Sequence, residues 1–186
     1  MIQLDTSWLQ HVQKPARYTG GEYNSIVKDH STVDVTMALG FPDVYEVAMS
    51  HLGIKILYGL VNRREDAVAE RVFAPWHDME EEMRKRNIPL FSLETRTPIK
   101  DFDVLAFTLQ YEMSFTNILN MLDLAGIPMY AKERDLDFPL LVCGGPCAYN
   151  VEPIADFFDI VSLGESEEWG DEFVDLYKAE KAKGFP

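Results

Sequence analysis

The chain has 186 residues, 47% of them hydrophobic and 12% aromatic, which suits one well-buried domain and excludes disorder over most of its length. Its formal net charge is −14, from 31 acidic and 17 basic residues, a sign that repels phosphate backbones and argues against nucleic acid as a partner of this segment. No apolar run approaches the roughly 20 residues needed to span a bilayer, and the first residues lack the pattern of a secretion signal. The expectation is a cytoplasmic protein without a membrane partner, its oligomeric state unspecified.

Residues 1–32 are polar and irregular apart from Trp8 and Leu9, and read as a short helix and a lead-in arm. The domain proper is expected over 33–186. VDVTMALGF (33–41) is the first strand candidate, rich in β-branched and small apolar residues. Ser50 is placed to cap the helix that follows. Leu52, Ile54, Ile56, Leu57, Leu60 and Val61 make that helix apolar nearly all round, so it should be largely buried. Arg63 and Arg64 suit its C-terminus. VAERVF (68–73) predicts a second strand. Pro75 fits the first turn of a helix whose Trp76, Met79 and Met83 share one face. PLFSLET (89–95) reads as a third strand or an extended edge.

DVLAFTL (103–109) is the clearest buried strand. It leads to a helix capped by Ser114, with Phe115, Ile118, Leu119 and Leu122 on one face and Gly126 at its end. PLLVCGG and DIVSLGE supply further strands. A last helix aligns Trp169, Phe173, Leu176 and Tyr177. Strands without period-2 polarity that alternate with helices specify a parallel sheet covered on both faces. The fold class is therefore α/β: a doubly wound, mostly parallel sheet of five or six strands with flavodoxin-like architecture.

In such a sheet ligands sit beyond the C-terminal strand ends. Those ends here are Gly40-Phe41-Pro42-Asp43, Thr108-Leu109-Gln110-Tyr111, Cys143-Gly144-Gly145-Pro146-Cys147 and Gly164-Glu165. Backbone amides, one hydroxyl, one amide side chain and aromatics would line the crevice. That set suits a large, mostly apolar cofactor. No phosphate-loop lysine and no Gly-x-Gly-x-x-Gly is present, so triphosphates and NAD are poorly supported. The two cysteines, Cys143 and Cys147, read as strand-end and loop residues, since the four scattered histidines supply no paired-ligand spacing. Cys147 near a helix start is a nucleophile candidate, but no histidine is tied to it. Asp43 and Glu46 read as loop carboxylates, His51 as a helix-start imidazole, and Glu165 and Glu167 as capping carboxylates. No catalytic residue and no metal ligand is assigned.

Six ordered segments carry a resemblance: KPARYTGGEYNSIVKD (14–29), FPDVYEVAMSHLGIKILY (41–58), ERVFAPWHDME (70–80), FTLQYEMSFTNILNMLDLAGIP (107–128), GGPCAYNVEPIADFFD (144–159) and LGESEE (163–168). Together they resemble the N-terminal region of a family of radical SAM proteins that carry a cobalamin-binding-like, Rossmann-like domain. The resemblance implies a following barrel, with S-adenosylmethionine and a [4Fe–4S] cluster held by Cys-x-x-x-Cys-x-x-Cys. Here only Cys143-x-x-x-Cys147 exists and position 150 is Asn. Cluster and S-adenosylmethionine are thus expected outside these residues, and the chain is expected to be one domain of a longer protein whose own barrel is its partner.

Known cobalamin-binding domains use three loops. The first carries Asp-x-His-x-x-Gly, whose His takes over the lower cobalt position; here Met49-Ser50-His51-Leu52-Gly53 lacks the Asp and has its Gly two residues after the His. The second carries Ser-x-Leu and a later Ser, to which Thr108-x-Gln110 and Ser114 correspond. The third is a Gly-Gly pair, matched by Gly144 and Gly145; relatives often have Gly-Gly-Pro-His there, where this chain has Cys147. The expected cofactor-contacting residues are Phe41, Pro42, His51, Thr108, Gln110, Tyr111, Ser114, Gly144, Gly145, Pro146, Cys147, Gly164 and Glu165. The resemblance thus implies a domain that holds cobalamin. The alternative is a ligand-free docking domain that keeps only the fold.

Overall fold

A computed structural model describes residues 6–185, so the first five residues of the expected arm lie outside the described residues. Five strands form one sheet: β1 (Val35–Phe41), β2 (Ala67–Phe73), β3 (Val104–Thr108), β4 (Leu140–Gly144) and β5 (Ile160–Val161). Their order is β2-β1-β3-β4-β5, and every pairing is parallel. The chain therefore winds outward in both directions from β1 and β3. Helices α1 (Tyr45–Ser50), α2 (Leu52–Asn62) and α5 (Ser166–Lys183) accompany one face; α3 (His77–Arg86) and α4 (Phe115–Ala125) accompany the other.

Each face has its own core. Val35, Met37, Leu39, Val104 and Val142 meet Ile54, Tyr58 and Val61 of α2 and Phe173 and Val174 of α5. Ala38, Val72, Leu105 and Leu141 meet Met79 and Met83 of α3 and Ile118, Met121 and Leu122 of α4. Trp8, Leu9 and Val12 of the arm are buried in this second core. α4 ends at Gly126 in left-handed conformation, as the spacing predicts.

Several local expectations are corrected. Ser50 closes α1 and is not the cap of α2; His51 is, its Nδ1 accepting from the Ile54 amide. α2 is not buried all round, because only one side meets the sheet: Leu52 is 69% exposed and Ile56 39%. Arg63 and Arg64 reach Asp171 of α5, while the last carbonyls near the end of α2 receive the Lys28 ammonium from the arm. Pro75 precedes α3, whose N-cap is Trp76. Ser114 precedes α4 without capping it through its side chain; its hydroxyl donates to the Tyr111 carbonyl. Leu176 is exposed, so the α5 stripe is aromatic, with Trp169 stacked on Phe173 at 4.8 Å and Tyr177 beyond.

Residues 89–95 take the extended-edge alternative. Phe91 bridges Pro98, outside the main sheet. The Leu93 amide donates to the Arg71 carbonyl at 2.7 Å, and the Arg71 amide donates to Glu94 at 2.7 Å. This cover explains why β2, an outer strand, is buried along all seven residues. Two charges lie inside it. Glu70 is bonded by His30, Ser92 and Thr95. Burial alone would push its carboxyl up, but these three partners hold it below its usual range. Arg71 pairs with buried Glu94 at 2.6 Å, and its guanidinium lies 4.5 Å from the Tyr58 ring centre.

Candidate functional site

A cavity of about 250 Å³ opens at the C-terminal end of the sheet, between α2 and α5. Its floor is Met37 and Leu39 of β1, Ala106 of β3 and Val142 of β4. Leu39 and Ala106 are register partners, as are Ala106 and Val142, so they share one face of the sheet. Ile54 and Leu57 form the α2 wall, and Trp169 and Phe173 the α5 wall. Both walls are apolar for the reason that the helices are amphipathic: these side chains face the sheet.

Polar groups gather where β1 and β3 hand over to their following loops, the point at which the strand order reverses. His51 follows β1 and α1; Thr108 and Gln110 end β3. The His51 Nδ1 accepts from the Ile54 amide at 3.4 Å, so the ring proton rests on Nε2, which lies 3.1 Å from the Gln110 Oε1 and donates to it. The Gln110 amide nitrogen in turn donates to the Thr108 hydroxyl. One relay thus joins two strand ends across the switch point. The ring sits over the first turn of α2 because residue 53 is glycine: a Cβ there would stand 2.9 Å from the His51 ring.

Gly145 has φ +101°, and a Cβ would meet the Leu109 carbonyl oxygen and the Thr108 hydroxyl, each at 3.1 Å. Only glycine fits that turn. It brings the β4 loop against the β3 loop, and the Cys147 amide then donates to Leu109 at 3.0 Å.

The structure brings together part of the expected set. His51, Thr108, Gln110, Gly144, Gly145, Gly164 and Glu165 line the cavity. Six others stand off its lining. Phe41 is buried behind His51, ring centres 5.1 Å apart. Pro42 receives Asn117 on its carbonyl. Tyr111 donates to Asp43 at 2.9 Å, and Ser114 is buried beneath Tyr111. Pro146 opens the turn Pro146–Asn150, and Cys147 packs toward the core on the opposite sheet face. Glu46 lies in α1 instead of a loop and pairs with Lys14 and Arg17.

Neither thiol is activated. Burial pushes Cys143 up to about 12; burial and then the Glu112 carboxylate push Cys147 up. Among the described residues no group of three or more His, Cys, Asp or Glu can hold a metal ion, and no helix is long and apolar enough to cross a membrane.

Sequence reasoning missed the apolar floor and walls, above all Ala106 in the floor and Trp169 in a wall. A small residue in a central, largely apolar strand, together with an aromatic in the first turn of a helix, was the available signal. The comparisons with known proteins agree with this frame. The family described as "Radical SAM proteins, N-terminal" matches residues 53–186. The chain belongs to that family. It is also 27% identical over 134 residues to "Uncharacterized protein MJ0966" of Methanocaldococcus jannaschii, a stretch covering 70% of this chain and 24% of that relative. The chain thus spans about a quarter of that relative's length.

Proposed function

We propose that this chain is the accessory domain of a radical SAM protein and holds a corrinoid-type cofactor at the C-terminal edge of its sheet. The observation that carries the reading is the apolar cavity opening at the switch point beneath the His51–Gln110–Thr108 relay. At about 250 Å³ it is smaller than the roughly 300 Å³ at which drug-sized pockets begin. It therefore takes a tail or base, and a macrocycle would rest outside, over the mouth. Gly144 and Gly145 leave that approach free of side chains. A corrinoid supplies cobalt-centred group-transfer chemistry when bound; the chain's own groups bind and orient it. S-adenosylmethionine and the iron–sulfur cluster belong, on this reading, to a barrel elsewhere in a longer cytoplasmic protein.

Incubation of the purified chain with hydroxocobalamin, followed by gel filtration, tests the reading. Stoichiometric corrin absorbance in the protein peak is the expected result; a colourless peak would count against it. Filling the floor by Ala106→Leu is expected to abolish that absorbance while leaving thermal stability unchanged or raised, since the new side chain occupies existing space.

A second reading, a docking domain that binds nothing small, is favoured by one observation. Met113, Tyr149 and Leu163 lie in the segments after β3, β4 and β5, Leu52 opens α2 after α1, and all four are more than half exposed. Such an apolar rim suits a protein partner, and the proposed one is the parent's own barrel.

A further inference from the structure

The charge of the cavity mouth says which chemistry enters it. Among the described residues that line the cavity there is no lysine and no arginine. The mouth carries Glu165 and Glu167, and Glu168 follows in the first turn of α5. In doubly wound folds an open helix start attracts phosphate through its free amides and dipole. Here the start of α5 carries carboxylates of its own: none caps it through a side-chain hydrogen bond, contrary to the capping expected of Glu165 and Glu167, but their negative charge opposes an incoming anion. A phosphate placed there would face two carboxylates with no cation to offset them. The relay above offers no cation either: His51 and Gln110 face one another and Gln110 donates to the Thr108 hydroxyl, so its groups are neutral hydrogen-bonding groups. What remains is an apolar slot about 250 Å³ in volume, flanked by the Trp169 indole, which suits an uncharged planar ring system.

We propose that the cavity accepts an uncharged heteroaromatic group, a benzimidazole, a purine or its nucleoside, and discriminates against the same group bearing a phosphate. This rests on reading the crevice as a cofactor site and not on the cofactor being a corrinoid. Glu165 and Glu167 are the residues that set the discrimination.

Titration calorimetry of the full chain with 5,6-dimethylbenzimidazole, adenosine and adenosine 5′-monophosphate tests it. The base and the nucleoside are expected to bind, and the monophosphate about tenfold or more weakly, a difference of about 1.4 kcal/mol or more. The gap should shrink at high salt and in the double variant Glu165→Gln/Glu167→Gln, whose exposed positions leave the fold intact. Ala106→Leu should remove binding of the nucleoside, which ties the heat to this cavity. Equal or tighter binding of the monophosphate, an unchanged gap in the double variant, or no binding of base and nucleoside at millimolar concentration would each overturn the proposal. The hydroxocobalamin absorbance is read separately. A chain that turns red but does not discriminate keeps the corrinoid reading and loses this one; a chain that discriminates but stays colourless loses the corrinoid reading and keeps this one.

Discussion

His51 accepts through one ring nitrogen and donates through the other, so reaching a metal would cost it the Gln110 bond. His51→Ala is therefore expected to leave the visible spectrum of bound hydroxocobalamin unaltered, whereas a shifted spectrum would put the imidazole on cobalt. The same variant loses a helix cap, and urea unfolding should register about 1 kcal/mol. For the thiols, Glu112 beside Cys147 works against the thiolate. A disulfide reagent at neutral pH should find neither cysteine faster than free cysteine; a fast-reacting Cys147 would revive it as a nucleophile. At this scale the sequence showed which residues gather at the strand ends, because glycines and small polar residues interrupt apolar runs there. It did not show their pairings. That Gln110 meets His51 depends on β1 and β3 lying side by side, which no local pattern encodes.

The elements were legible where periodicity and caps agree. α4 runs from its apolar stripe to Gly126 as expected, and β1 and β3 stand within two residues of their predicted bounds. Legibility failed where tertiary contact decides. Leu52 and Ile56 look like core residues in a window of sequence, yet only one side of α2 has a sheet beneath it. Nothing local in VAERVF shows what pairs with Glu70 and Arg71: His30 and Ser25 of the arm and residues 92–95 supply their partners. The arm's attachment has a pH dependence that follows from Glu46. Lys14 and Arg17 hold its carboxyl down from 4.5 to about 2. A carboxylate lowered on folding contributes stability above its unfolded value and loses it as pH falls through the folded one. The arm's protection against hydrogen exchange or proteolysis should therefore decline between about pH 4.5 and about pH 2. Glu46→Gln should lower it at neutral pH and flatten that decline; an unaltered profile would assign the anchoring to other contacts.

Across the whole molecule, two cores on a doubly wound sheet hold a cavity at one end and a sealed strand on one side. The seal depends on the buried Arg71–Glu94 pair. Arg71→Met leaves the Glu94 charge without its cation, and urea unfolding is expected to show a loss of about 3–5 kcal/mol. Arg71→Met/Glu94→Gln should recover most of it, because no lone charge then remains; a double variant as weak as the single would show that packing, not charge, was lost. The sheet order itself places the His51–Gln110 contact and the cavity at the same switch point. The cover over β2 has a consequence beyond stability. Sheets lengthen from molecule to molecule through unspent ladder groups on an outer strand, and at Arg71 both the amide and the carbonyl are already taken, by Glu94 and Leu93. The molecule thus terminates its own sheet there, and loosening residues 93–94 would turn β2 into a template for polymerisation.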